Sequence, residues 1–149
     1  MLFVGVDLGT SAVKLLLMDE NGKIKNIVSK EYPLFFPHPG WSEQNPEDWF
    51  TQSVEGMKEL TEGIDRSLVA GIGFGGQMHG LVMIGADGKL IRNAIIWADQ
   101  RSEKEIQKIY DITGKDTYRG TVLNSLSTGF LISSLMWVKE HEPVSYTHL

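Results

Sequence analysis

The sequence predicts an α/β protein built on a mixed sheet, and three observations predict it. Short β-type runs stand in succession at residues 2–7, 14–19 and 23–31, joined by tight turns. A strongly signalled helix follows at 46–61, and another short apolar run comes after it at 68–74. Strand, helix, strand is the order that lays a helix on a sheet. The chain also has the means to bury a core, with 149 residues, 42% hydrophobic and 22% charged.

The first run, Leu-Phe-Val-Gly-Val, ends abruptly at Asp7, which marks a buried strand delivering a carboxylate to its end. The second reaches Asp19, and Asn21-Gly22 is the strongest short hairpin signal available. Residues 23–31 alternate apolar and polar, as a half-exposed third strand does. These three strands are expected to be antiparallel. Residues 32–45 read as a loop rich in proline and aromatics. Asn45, Pro46, Glu47 and Asp48 then supply cap, first-turn proline and helix-dipole charges. Phe50, Val54, Met57 and Thr61 are expected to form the inward face of that helix, flanked by Trp49 and Leu60, with Gly63 ending it.

Residues 68–74 read as a buried strand, and a glycine-rich stretch, 75–80, follows its carboxyl end, where α/β sheets bind ligands. A hairpin is expected over 81–84 and 90–96 around Asp87-Gly88. Ser102 and Glu105 have capping-box spacing for a helix to about 112, with Gly114 beyond it. Residues 115–126 read as loop. A last helix is expected from 127 or 128 to 140, with Leu131, Leu135 and Val138 on one face and Pro143 stopping it. No repeat, low-complexity segment or linker-like stretch marks an internal domain boundary.

Bulk properties narrow the function classes. A net charge of −5 disfavours a nucleic-acid partner. No apolar stretch has transmembrane length, and the N-terminus lacks the basic start of a signal peptide. Without cysteine there is no disulfide framework and no thiolate metal site. A cytoplasmic protein is the expectation.

Chemistry is expected in three clusters. In the first, Asp7, Gly9, Thr10 and Lys14 follow the pattern D-x-G-T-x-x-x-K. Chance produces it in about one window in 10⁵ at average residue usage. Gly9 permits close backbone approach, and the amides of Gly9, Thr10 and Ser11 could form an anion nest. Thr10 adds a hydroxyl and Lys14 a positive charge, while a carboxylate beside an anion suits Mg²⁺ at a nucleotide phosphate. The alternative is a plain strand-turn-strand. Both G-x-G-x-x-G and Walker A patterns are missing, so a phosphate here is held in a β-hairpin and not at a helix N-terminus.

In the second cluster, Gly75-Gly-Gln-Met-His-Gly80, Gln77 and His79 can hydrogen-bond hydroxyls and Met78 gives adaptable apolar contact. The alternative is a glycine-rich connection with a solvated histidine. His79 has no partner at metal-ligand spacing, and no nucleophile elbow is present. The third cluster is Trp97-Ala-Asp99-Gln-Arg101. It offers an apolar wall and charged forks suited to a sugar, or equally an Asp–Arg pair closing a turn beneath a core tryptophan. The stretch Pro39-Gly-Trp-Ser-Glu-Gln-Asn-Pro-Glu-Asp-Trp49 reads as helix-entry chemistry, with Trp41 and Trp49 in the core.

Together these motifs resemble the N-terminal part of a carbohydrate kinase of the FGGY family. The resemblance rests on Asp7–Lys14, Pro39–Trp49, Gly76-Gln-Met-His-Gly80, Trp97-Ala-Asp-Gln-Arg101 and the helix end Leu135-Met-Trp-Val-Lys-Glu-His-Glu-Pro143, in order and spacing. The form at 76–80 is that of the xylulose kinases. The resemblance covers about residues 1–143 and implies an actin-like, ribonuclease H-like ATPase fold, of which this is a partial N-terminal domain. It implies ATP and Mg²⁺ as cofactors, a small-molecule sugar as substrate, no nucleic acid or membrane partner, and room for a homodimer of the full-length protein. It assigns Asp7 to Mg²⁺ and catalysis, Gly9, Thr10 and Lys14 to the nucleotide, and Gln77, Met78, His79, Trp97 and Asp99 to the sugar. The family's general-base aspartate lies in a G-G-x-D-N motif that this chain does not contain, so the segment is expected to be inactive alone. Residues 144–149 do not resemble the family and are expected to be a foreign tail. A competing expectation is an actin-like module that uses nucleotide as a conformational switch. It shares the first cluster and has no use for the other two.

Overall fold

The structure is a computed structural model describing residues Met1–Leu149, and the chain forms two compact units. One comprises Met1–Pro33 with Glu47–Gln77, the other Leu34–Pro46 with Met78–Leu149. Two of the crossings, at Pro33 and Pro46, carry no glycine- or serine-rich linker, and the third falls within the glycine-rich stretch 75–80, which the sequence reads as a ligand loop.

The first unit holds a four-stranded mixed sheet in the order β3-β2-β1-β5. Its strands are β1 (Leu2–Leu8), β2 (Ala12–Asp19) and β3 (Ile24–Glu31), antiparallel in succession as expected. β5 (Val69–Gly76) runs parallel to β1 on its other side. (β4 belongs to the second unit.) Helix α1 (Pro46–Leu60) supplies the crossover that a parallel pair requires. Alternation sorts the side chains between the two faces of the sheet. Val4, Val6, Val13, Leu15, Leu17 and Val28 form the buried core with Tyr32 and Leu60. Phe3, Gly5 and Asp7 of β1 and Lys14, Leu16 and Met18 of β2 share the opposite face, which no element of this unit covers.

The inward face of α1 matches expectation at Met57, Thr61 and the flanking Trp49 and Leu60, and differs at Phe50 and Val54. Phe50 is 69% exposed, whereas Gly56 and Leu60 are buried and Trp49 and Met57 pack against the core. The helix carries two apolar stripes. The one containing Phe50 and Val54 is exposed, and Val54 lines an open groove beside Ile72 of β5. The other sits closely on β2 because Gly56 has no side chain: a Cβ there would lie 2.6 Å from Leu15 Cδ1. Strand β5 also differs. It is present, but it is an edge, and Ile72 and Phe74 are exposed where a buried strand was expected.

In the second unit the sheet is reduced to two-residue strands, β4 (Glu43–Gln44) paired antiparallel with β6 (Ala94–Ile95). The expected loop over 32–45 thus contributes a strand. The expected hairpin over 81–96 survives only as isolated bridges, Leu81 with Ile95 and Ile84 with Leu90. Three longer helices follow: α2 (Glu103–Thr113), α3 (Lys115–Val122) and α4 (Leu131–His141). A short α5 (Pro143–Thr147) ends the chain. Leu81, Met83, Ile95, Trp137 and Val138 form the core of this unit.

Three expectations are corrected in this unit. α3 occupies residues expected to be loop; it starts immediately after Gly114, whose φ of 77° turns the chain between the two helices. The capping box at α2 is not formed, since Ser102 makes no side-chain cap bond and Glu105 pairs with Lys108 at 3.4 Å. On α4 Leu131 is exposed, and Ser133 and Ser134 are buried in its place, because small side chains let the helix approach its neighbours. As expected, α4 ends ahead of Pro143, which opens a new turn at the position where a missing N–H costs nothing.

The close seat of α1 gives a stability test. Gly56→Ala gains about 1 kcal/mol of helix propensity. It also forces its methyl into Leu15, which is 1% exposed and cannot swing away. Overpacking costs about 1–3 kcal/mol, so the net effect is expected to be destabilising, read as a lower urea midpoint. A raised midpoint would mean that the helix can lift off the sheet.

Candidate functional site

The first unit builds its site at the end of β1. Period-two alternation places Asp7 on the uncovered face, exposed, with Lys14 its register partner on β2 and Gly75 its partner on β5. The turn after β1 is tight. The Gly9 amide donates to the Ala12 carbonyl at 3.0 Å, and a Cβ at Gly9 would meet that same oxygen at 3.0 Å. This corrects the expected three-amide nest, because the Gly9 N–H is spent inside the turn. Beyond Gly76 the Gln77 amide donates to Leu8 O at 2.9 Å. A side chain at Gly76 would crowd Leu8 Cβ at 3.1 Å, so the glycines let β5 run flush beside the end of β1.

Tyr32 is a residue that sequence reasoning missed. It is 6% exposed, its amide donates to Ser11 O at 3.2 Å, and its hydroxyl donates to Gly9 O. One residue therefore braces both ends of the turn, by its hydroxyl and by its backbone amide. Burial, with the Asp7 charge added, pushes the Tyr32 hydroxyl up to about 12. The only sequence signal was a lone aromatic at the close of a strand, which core packing explains equally well.

In the second unit Met78 and His79 are exposed, Met78 by 70%. His79 has φ of 70°, a left-handed conformation that non-glycine residues rarely adopt. Its ring stacks on Phe130, with centroids 4.2 Å apart and planes 14° apart. Trp97 is half-exposed. The Leu81–Ile95 bridge holds the two loops side by side, its amides donating at 2.8 and 3.1 Å. Gly129, with φ of 71°, lies against the Trp97 backbone so tightly that a Cβ would come within 2.2 Å of Trp97 O. The loop carrying Met78 and His79 and the loop carrying Trp97 are thus linked through their backbones, and Gly129 and Phe130 touch both unannounced. A Gly-Phe pair before a helix signals no more than a turn.

Asp99 is the correction among the site residues. It is fully buried and engaged with protein on both oxygens. Oδ1 accepts from the Arg101 amide at 2.9 Å, and Oδ2 accepts from the Ser42 amide at 2.7 Å and from Arg101 Nη2 at 2.8 Å. Arg101 also reaches Glu43 at 2.8 Å and lies 3.8 Å above the Trp41 ring and 5.0 Å from that of Trp137. Arg92 extends the network by bonding Glu43 and Glu142. The pair closes a turn beneath tryptophans, though these are Trp41 and Trp137 and not Trp97. A carboxylate with no exposed surface and these partners does not reach a sugar.

Glu105, Glu140 and His141 also converge, with ligand atoms within 4.8 Å of one another. Lys108 stands between the two carboxylates, 3.4 Å from Glu105 and bonded to Glu140, so an ammonium already fills the place of a cation.

Comparison with known proteins gives this arrangement its context. Residues 2–149 match the N-terminal domain of the FGGY family of carbohydrate kinases, and the chain belongs to that family. It is 42% identical over 142 residues to the xylulose kinase of Bacillus subtilis (strain 168), covering 94% of this chain and 28% of that protein. It is 30% identical over 138 residues to the gluconokinase of the same organism, covering 91% of this chain and 26% of that protein. Among solved structures, a xyloylose kinase from Brucella ovis superposes with a TM-score of 0.91 at 32% identity, over 100% of this chain and 31% of the other. The fold is therefore that of the actin-like ATPases, and the chain spans under a third of the length of the relatives it matches. No helix is long and apolar enough to cross a membrane.

Two outcomes test the site's scaffolding. Removing the Tyr32 hydroxyl in Tyr32→Phe should cost about 1 kcal/mol near neutral pH. A tyrosine raised from 10.0 to about 12 keeps its stabilising effect below pH 10 and loses it as pH rises through 12. The gap between wild type and Tyr32→Phe in urea unfolding should therefore shrink across that interval, and a constant gap would count against the brace. Asp99→Asn breaks a buried pair and should cost about 3–5 kcal/mol. Asp87→Asn, in an exposed turn, should cost less than about 1 kcal/mol.

Proposed function

We propose that a full-length kinase carrying this segment transfers the γ-phosphoryl group of ATP to the terminal hydroxyl of D-xylulose, giving D-xylulose 5-phosphate, in the cytoplasm. The observation that carries the reading is the wall on which exposed Met78 and His79 stand with half-exposed Trp97. A nucleotide switch has no use for such a wall. A polyol does: Trp97 offers an apolar surface to C–H groups, Met78 adapts to it, and the His79 ring edge hydrogen-bonds hydroxyls. The xylulose kinases among the relatives support the choice of sugar.

The donor set of the first unit fits a metal–nucleotide. Asp7 is an exposed carboxylate, Lys14 an exposed cation on the same face, and Gly9 keeps the turn free of a side chain. Asp7 would hold Mg²⁺, with Gly9, Thr10 and Lys14 at the nucleotide phosphates and Gln77 assigned with Met78 and His79 to the sugar. ATP supplies the phosphoryl group, and Mg²⁺ neutralises its oxygens. The chain's own residues position and balance charge. The proton of the attacking hydroxyl needs a base that the family resemblance locates outside these residues. A second reading, a kinase for a sugar acid such as gluconate, is favoured by the gluconokinase relative.

A coupled assay for ADP release separates these readings. The full-length kinase should turn over D-xylulose in preference to D-gluconate and glycerol, and the 149-residue chain alone should show no sugar-dependent turnover. In the full-length enzyme His79→Ala should raise the sugar KM more than about tenfold with the ATP KM unchanged. Preference for gluconate, or an unmoved sugar KM in His79→Ala, would overturn the assignment.

A further inference from the structure

We infer that Phe130 and Gly129 are positioning residues for the sugar wall, Phe130 by fixing the plane of the His79 imidazole and Gly129 by seating the same loop against the backbone of Trp97. The inference rests on the proposed sugar site and adds two residues to it.

The argument starts from His79. Its left-handed backbone conformation is one that non-glycine residues rarely adopt. An exposed imidazole at such a position would otherwise sample several side-chain rotamers. The Phe130 ring removes that freedom. At 4.2 Å and 14° it covers one face of the imidazole and leaves the edge, where both ring nitrogens lie. Hydrogen bonding to a hydroxyl is an edge interaction, so the stack blocks the face that recognition does not need.

Phe130 can do this only if it is itself held, and two hydrogen bonds to its carbonyl hold its backbone. Its carbonyl accepts the Ser134 amide at 3.0 Å and the Ser133 hydroxyl at 2.9 Å. The Ser133 hydroxyl also lies 3.0 Å from Ser127 O, so one buried serine ties both ends of the loop 127–130 to the start of α4. These contacts explain why α4 buries serines where larger apolar residues were expected.

Gly129 does the complementary work. It is buried, its φ is 71°, and a Cβ would overlap the Trp97 carbonyl carbon at 2.6 Å and its oxygen at 2.2 Å. Conformation and space both require glycine. A loop tethered to the first turn of α4 therefore touches the backbone of Trp97 through one residue and the ring of His79 through the next. The wall's two polar and aromatic elements are set by one rigid support, as pre-organised recognition requires.

Steady-state kinetics of the full-length kinase test this. Phe130→Leu should raise the D-xylulose KM about tenfold, with kcat, ATP KM and melting temperature nearly unchanged. Phe130→Tyr keeps the ring and should restore the KM to within about twofold of wild type. In the 149-residue chain, the ring-current displacement of the His79 imidazole protons in NMR spectra should vanish in Phe130→Leu and persist in Phe130→Tyr. A wild-type sugar KM in an active Phe130→Leu enzyme overturns the positioning role alone. Absence of D-xylulose phosphorylation by the wild type overturns the functional reading and this role with it. Should Phe130→Leu fail to fold, Gly129→Ala replaces it, with a raised sugar KM expected and an unchanged one overturning the inference.

Discussion

Much of the second unit depends on one buried guanidinium. Arg101 is almost without solvent, and a charge there is tolerable only when carboxylates answer it, which they do at Nε and Nη2 while Nη1 has no hydrogen-bond partner. Asp99 supplies a two-pronged acceptor, Glu43 a second carboxylate, and Trp41 and Trp137 aromatic faces. These partners come from the strand β4, the segment after β6 and the helix α4, so satisfying one cation brings three distant pieces of chain to one point. Backbone bonds then follow the same path. The Gln100 amide donates to Gly40 O at 2.8 Å and the Ile96 amide to Ser42 O at 3.1 Å. A sheet of two-residue strands could not hold this arrangement by its ladder alone.

The consequence for the site is indirect. Ile96 is pinned on one side and Asp99 on the other, which leaves Trp97 in a short span with both ends fixed. The clasp therefore holds the backbone of the Trp97 loop proposed for the sugar. In the first unit, backbone restraint likewise surrounds an exposed functional group. Asp7 stands at the end of a strand paired on both sides, and the turn after it is closed by its own hydrogen bond and braced by Tyr32. In each unit the groups assigned to ligand are solvent-facing, and the groups that hold them are buried.

What the sequence made legible follows the range of the interactions involved. The first three strands, their hairpin and α1 are set by alternation, Asn-Gly chemistry and dipole charges, all local, and each was read from a few neighbouring residues. The D-x-G-T turn and the Met-His loop were legible for the same reason. The inward face of α1 was not, because Phe50 and Val54 form an apolar stripe as convincing as the true one, and the choice between them was made by Gly56 meeting Leu15. The exposure of β5 depends on its being an edge, which is a property of the sheet and not of Val-Ala-Gly-Ile-Gly-Phe-Gly-Gly. β4 pairs with a strand some fifty residues away in sequence, and no local pattern in two residues can announce that. α3, with a glycine and two threonines among its eight residues, is a weak helix by propensity that tertiary context retains.

The motif Trp97-Ala-Asp-Gln-Arg101 shows why residue type alone could not divide ligand contacts from scaffold. Carboxylate and guanidinium are the groups a sugar site would use, and they are also the groups that can close a turn. Burial decides between them. A carboxylate that accepts hydrogen bonds from two backbone amides and an arginine, with no surface left, has its charge fully answered within the protein. To reach a hydroxyl it would have to give up those bonds and strand a buried cation, at a cost larger than one sugar contact returns. Trp97, two residues away, faces the other way and remains half-exposed. The short motif thus leaves its aromatic residue half-exposed while its charged residues are held in.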